Sequence, residues 1–177
     1  MSICENVIKL WGNNDSLNRL KDACSKPCTL LTMAQKLNIS LDCDIYRGNI
    51  RGSVILGDTL IILSNTWNPL NEFWDQICAA LSIEYASKTE EPTEDIFYIH
   101  NDPDKKYFPE NYALDICRRS DELAVNADRY YFESKEEAAD WLYDNAANAR
   151  AKKNSFRKWL NYFTVNNIGC WNTYVRD

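Results

Sequence analysis

Val54-Ile55-Leu56 and Thr59 to Leu63 are two apolar runs separated by only Gly57-Asp58. Two residues leave no room for a crossover, so the runs must pair antiparallel. A Gly-Asp pair is suited to such a turn, because glycine reaches positive φ without steric cost. The chain is thereby committed to an antiparallel sheet. Leu60 to Leu63 is apolar on both faces, which reads as a central strand.

The segments around this hairpin alternate between strand and helix patterns. Cys4 to Trp11 reads as a strand, with Val7, Ile8 and Leu10 between polar residues and Gly12-Asn13-Asn14 at its end. Asp15 or Ser16 is placed to cap a helix that carries Leu17, Leu20 and Ala23 on one face, and Pro27 bounds it. Thr29 to Leu37 reads as a second short helix. Ile39, Leu41, Cys43 and Ile45 alternate with polar residues, the pattern of a half-buried strand.

Asn68 is suited to cap a helix with Pro69 at its first position, where a missing N–H costs nothing. Phe73, Trp74, Ile77, Ala80 and Leu81 supply that helix with an apolar stripe. Ser82 to Ser87 and Ile96 to His100 read as strands joined by an acidic turn, Glu90-Glu91-Pro92. Asn111 to Arg118 and Glu122 to Phe132 read as two more. Ser134 with Glu137 forms a capping box for a helix to Asn148, whose apolar face holds Ala138, Trp141, Leu142 and Ala149. A further helix carries Phe156, Trp159, Leu160 and Phe163. The expected fold is α+β, a ferredoxin-like antiparallel or mixed sheet with helices packed on one face, plus C-terminal helices. With 177 residues, five Gly, five Pro and no linker-like tract, residues 1–177 read as a single domain.

Cys4-Glu5-Asn6 within the first strand, and Leu60 to Pro69 running into an amphipathic helix, carry a resemblance. Together they are similar to the YubB-type ferredoxin-like domain of uncharacterised plasmid and phage proteins. That family opens on a Trp-Cys-(Ser/Glu)-Asn strand and later has a Trp-x-Pro-Pro helix start. Here Ile3 stands in place of the first Trp and Leu70 in place of the second Pro. The likeness covers two patches in the first half of the chain. It implies a β-α-β-β-α-β sheet and a mobile-element or phage origin, and it brings no catalytic residues.

Charge and motifs narrow the function classes. The formal net charge of −6 argues against a general nucleic-acid binder, which needs cations to displace phosphate counterions. No Gly-rich phosphate loop or Gly-x-Ser-x-Gly setting occurs, so no cofactor is expected. The seven cysteines, without an export signal, read as reduced thiols of a cytoplasmic protein. No apolar run is long enough for a membrane span, so no membrane partner is expected. Cys24-x-x-x-Cys28 with Cys43 has half of a zinc pattern, but no second pair follows. His100 is the single histidine and flanks a turn.

Three sets of residues remain as candidate sites. Sixteen acidic and seven basic residues lie between Glu84 and Asp140. Glu90, Glu91, Glu94 and Asp95, with Trp67 as an aromatic anchor where it does not instead plug the core, are the candidates for binding a host or phage protein. The expected function is that of a non-enzymatic phage or mobile-element accessory that binds another protein and blocks a host nucleic-acid-handling or defence factor. Arg150, Lys152, Lys153, Arg157 and Lys158, interleaved with Phe156 and Trp159, are the candidates for nucleic-acid binding. Asp42 and Asp44 would share one face of a strand around Cys43, the arrangement a metal-dependent hydrolase uses. Tyr85, Phe97 and Tyr98 lie where RNA-recognition sheets keep stacking aromatics, but without that family's consensus.

Overall fold

A computed structural model describes residues 3–25, 28–43, 45, 47–91, 96–116, 125–126, 128–147 and 168–170. The chain divides into two compact units, Met1–Glu91 with Tyr98–Phe108, and Pro92–Phe97 with Pro109–Asp177.

The first unit is built on an antiparallel sheet. Its elements run β1 (Cys4–Gly12), α1 (Asn14–Ala23), α2 (Leu30–Lys36), β2 (Gly48–Leu56), β3 (Thr59–Thr66), α3 (Asn71–Leu81), β4 (Ile83–Glu91) and the Tyr98–His100 part of β5 (Ile96–His100). The strand order is β2-β3-β1-β4-β5. The pairs β1–β3, β1–β4 and β2–β3 are all antiparallel. Helices thus connect β1 to β2 and β3 to β4, while β3 and β1 sit side by side between them. This is the split β-α-β order of the ferredoxin-like class, with β5 added beside β4.

Alternation along the strands decides which face the helices cover. Ile8 and Leu10 of β1, Leu60 and Ile62 of β3 and Tyr85 of β4 join Leu17, Leu20, Leu30, Met33, Phe73, Trp74, Ile77 and Leu81 in one buried core. The apolar stripe of α3 includes Cys78, while Ala80 faces solvent. Gly57, with φ +62°, takes the first loop position of the β2–β3 hairpin, as a two-residue type II′ turn requires.

Helix ends differ from expectation in three places, one of them the helix from Lys135, which ends at Asp144 and not at Asn148. Asn13, not Asp15 or Ser16, caps α1, its Oδ1 accepting from the Ser16 N–H at 2.8 Å. Ser16 Oγ instead donates to the Leu81 carbonyl at 2.8 Å, which ties the start of α1 to the end of α3. α3 starts at Asn71 with Leu70 at the cap position and no side-chain cap bond, so Asn68 and Pro69 precede the helix. The Asn68 carbonyl accepts from Thr66 Oγ1 at 2.7 Å.

Two strand expectations are also corrected. The segment from Ile39 to Cys43 is not a strand. Ile39, Leu41, Cys43 and Ile45 nonetheless pack partly buried on the core, so the alternation reported burial and not pairing. β4 continues through Glu91, so Glu90 and Glu91 are strand residues and not a turn.

The second unit contains the sheet β7-β6-β8, with β6 (Tyr112–Ile116), β7 (Asp128–Phe132) and β8 (Ile168–Cys170). β6 pairs antiparallel with β7 and parallel with β8. α4 (Lys135–Asp144) packs Ala138 and Leu142 against Leu114 and Phe132. The capping box is present in altered form. Ser134 Oγ accepts from the Glu137 N–H at 3.1 Å, and Glu137 Oε2 accepts from the Glu133 N–H at 2.8 Å. The expected helix around Phe156 to Phe163 lies outside the described residues.

Candidate functional site

The two strand patches that carry the family resemblance are neighbours in the sheet. Cys4 pairs with Thr66 and Asn6 with Ser64. Asn6 is buried and sits at the centre of a polar row. Its Nδ2 donates to Thr66 Oγ1 at 2.9 Å and to the Ser64 carbonyl at 3.2 Å, and its Oδ1 accepts from Thr89 Oγ1 at 2.7 Å. This row crosses three strands and fixes their register. Its groups are largely used up by one another, so its role is structural.

The opposite sheet face is covered unevenly. On β4, Ala86 is fully buried and Lys88 and Glu90 are mostly buried. Lys88 Nζ lies 3.2 Å from Glu90 Oε1. Over β1 lies the segment around Tyr107. The Tyr107 ring stacks on Trp11 at 4.5 Å, and Lys9 Nζ donates to the Tyr107 carbonyl at 3.0 Å. That ammonium also sits 4.5 Å from the centre of the Phe108 ring, a cation–π contact. Tyr107 reaches β3 through its hydroxyl, 3.5 Å from Thr59 Oγ1.

Among the described residues, the face beyond that strap is exposed. Val54 is 46% exposed, Leu56 59% and Leu63 44%, and Val7 and Ile61 are half-buried beside them. Register places Val7 opposite Leu63 and Ile61 opposite Val54, so the five form one aliphatic patch across β1, β3 and β2. An Arg51–Glu5 ion pair of 3.0 Å borders it. The sequence held a signal for this patch. Leu60 to Leu63 is apolar on both faces because one face enters the core and the other is presented outward.

A cleft of about 340 Å³ opens where β4, β5 and α3 meet, lined by Trp11, Asp75, Cys78, Glu84, Tyr85 and His100 among others. Tyr85 is buried and donates to Asp75 Oδ1 at 2.8 Å. His100 stacks on the Tyr85 ring at 4.4 Å, so it is a strand residue against an aromatic wall and not a solvated turn residue. Burial, then the Asp75 hydrogen bond, raises the Tyr85 hydroxyl well above the ordinary tyrosine range, which makes it a poor proton donor at neutral pH. Trp11 Nε1 donates to Glu84 at 2.9 Å and closes one side of the cleft.

The residues singled out from the sequence fall in several places. Trp67 is half-buried, outside the core cluster, with the Arg47 guanidinium 4.8 Å over its ring. Glu91 is buried, and its Oε2 accepts from the Ile3 N–H at 3.2 Å. Glu90 and Glu91 therefore offer no solvated acidic face. Glu94, Asp95, Arg150, Lys152, Lys153, Arg157 and Lys158 lie outside the described residues.

Asp42 is in the irregular segment, where its N–H donates to Gln76 Oε1 at 2.7 Å, and Asp44 lies outside the described residues. Without a strand there, the geometric basis for the Asp42–Asp44 pair is lost. Cys24 Sγ packs 3.5 Å from the Met33 sulfur, and Cys28 Sγ donates to the Ala23 carbonyl at 3.1 Å. Among the described residues no cluster of His, Cys, Asp and Glu is arranged to hold a metal, and no helix is long and apolar enough to cross a membrane. Tyr85 faces the helices, Phe97 is buried, and only Tyr98 of that aromatic set is exposed. No known protein family, curated protein or solved structure matches the chain.

Proposed function

We propose that the chain is a non-enzymatic protein-binding module that docks another protein on the Val7–Ile61–Leu63–Val54–Leu56 face of its five-stranded sheet. The observation that carries the reading is the side-by-side exposure of Val54, Leu56 and Leu63 on a regular sheet surface. Isolated exposed aliphatics are ordinary, but a contiguous patch on a rigid scaffold is the property of interaction sites. The Arg51–Glu5 pair at its border supplies the polar rim such sites have. The contact is proposed on the apolar face because Glu90 and Glu91 are drawn into the sheet, while Glu94 and Asp95 lie outside the described residues. The YubB-type resemblance adds a mobile-element setting. The class of partner to test first is then a host or phage protein that handles nucleic acid or acts in defence.

The test is affinity capture from host lysate with and without nuclease, followed by rebuilding of the complex from purified components. The expected result is a protein that survives nuclease and whose affinity falls at least tenfold in Leu63→Lys. Leu63 is exposed, so that variant keeps the fold. Capture that disappears with nuclease would overturn the reading in favour of nucleic-acid binding.

A further inference from the structure

We propose that the outer edge of β2 pairs with the same edge of a second copy, centred on Val54, to give a symmetric dimer with one continuous sheet. β2 is the edge strand of the five-stranded sheet. Its outer edge is partly used already. Thr29 bridges to Asn49, and the Ile50 N–H donates to the Cys28 carbonyl at 3.0 Å. A bulge between Ile50 and Gly52 then shifts the register, and among the described residues no strand pairs with the outer edge of Gly52–Leu56.

Hydrogen-bond parity identifies the groups available. Leu56 and Thr59 flank the two-residue loop, so their backbone groups face each other. The pattern alternates along an antiparallel strand, which turns the N–H and C=O of Ser53 and Ile55 outward. In an antiparallel pair centred on Val54, Ser53 of each copy lies opposite Ile55 of the other. Those residues exchange reciprocal backbone hydrogen bonds on both sides of the two-fold axis.

Side chains on the open face fit the same register. Val54 lies against Val54 of the second copy. Leu56 lies over Gly52 of the second copy, and the position a Cβ would take at Gly52 has nothing within 4 Å. The large residue of each strand thus meets the empty place on the other. Charge agrees at the ends. Arg51 precedes Gly52 by one residue and Asp58 follows Leu56 by two, so an exposed cation of one copy comes near an exposed anion of the other, twice. Between them, residues 52–57 carry no charge and no proline. Edge strands that stay unpaired are commonly protected by such residues.

Dimerisation doubles the aliphatic patch of the proposed docking face. It rests on that reading only in sharing Val54 and Leu56, because the pairing itself is made by the β2 backbone. Sedimentation of the purified full chain over roughly 10 µM to 1 mM tests it, the range suited to an interface below about 1,200 Å². The expected result is a concentration-dependent doubling of mass. Ser53→Pro removes one outward donor and obstructs the edge, and Val54→Lys brings two cations together at the axis. Both are expected to weaken association at least tenfold while thermal melting shows a folded chain. Leu63→Lys leaves the edge intact and is expected to dimerise as the parent does, so loss of partner binding and loss of the dimer are read separately. A parent that stays monomeric at about 1 mM, or a dimer unchanged by both Ser53→Pro and Val54→Lys, would overturn the pairing.

Discussion

Asn6 uses both ends of its amide inside the sheet, and its removal is predicted to be costly. Asn6→Ala leaves the Thr89 hydroxyl and the Ser64 carbonyl without their partner in a buried row. The expected loss is roughly 2–3 kcal/mol in urea denaturation. Ser64 is the control, since its hydroxyl is buried at 1% exposure with no hydrogen-bond partner. Ser64→Ala is predicted to be neutral or stabilising by up to about 1 kcal/mol, because it removes a group that lost water for nothing in return. Equal losses in both variants would contradict the row as described. Two thiols give a pH dependence. Burial above all pushes Cys24 and Cys78 from 9.0 up to about 12. The unfolded chain releases these protons from about pH 9 while the folded chain holds them to about pH 12. Stability is therefore full below pH 9 and declines between 9 and 12, by roughly 1.4 kcal/mol per pH unit for each thiol. Thermal melts in reducing buffer should show Cys78→Ala less alkali-sensitive than the parent. An identical pH slope would contradict it.

At the scale of elements, Gly48 shows how closely α2 sits on β2. A Cβ there would lie 2.5 Å from Leu30 Cδ1, and Leu30 is fully buried and cannot swing clear. Gly48→Ala is predicted to cost about 1–3 kcal/mol by chemical denaturation, and a neutral outcome would mean that α2 is free to lift. What was legible in the sequence follows from how local each signal is. The Gly57-Asp58 hairpin, the Ser134–Glu137 box and the β1 strand were readable because their signals lie within a few residues. Ile39 to Ile45 misled because alternation reports which side chains face the core and says nothing of a ladder partner. In the structure, Asn38 at φ 57° ends α2, with the Ile39 N–H donating to the Ala34 carbonyl at 3.0 Å, and residues 39–43 then run along the core outside any strand. Asn68-Pro69 had the chemistry of a helix start, but Asn68 is held by Thr66 and α3 begins three residues on. The packing of His100 on Tyr85 depends on β4 and β5 meeting and could not be read from either segment.

On the scale of the whole chain, the sheet order of the first unit sets the position of the proposed docking face. Helices connect β1 to β2 and β3 to β4 and occupy one side, and on the other side of β2, β3 and β1 the Tyr107 strap lies beside exposed Val54, Leu56 and Leu63. The patch itself is aliphatic, with the Arg51–Glu5 ion pair at its border. The most direct test of this docking face is photo-crosslinking in cells. A benzophenone amino acid is placed at position 63, and at position 31 as a control, where Leu31 is 49% exposed on α2. The predicted result is an adduct with a distinct second protein from position 63 and none from position 31. No protein adduct from position 63, or equal adducts from both positions, would contradict the account.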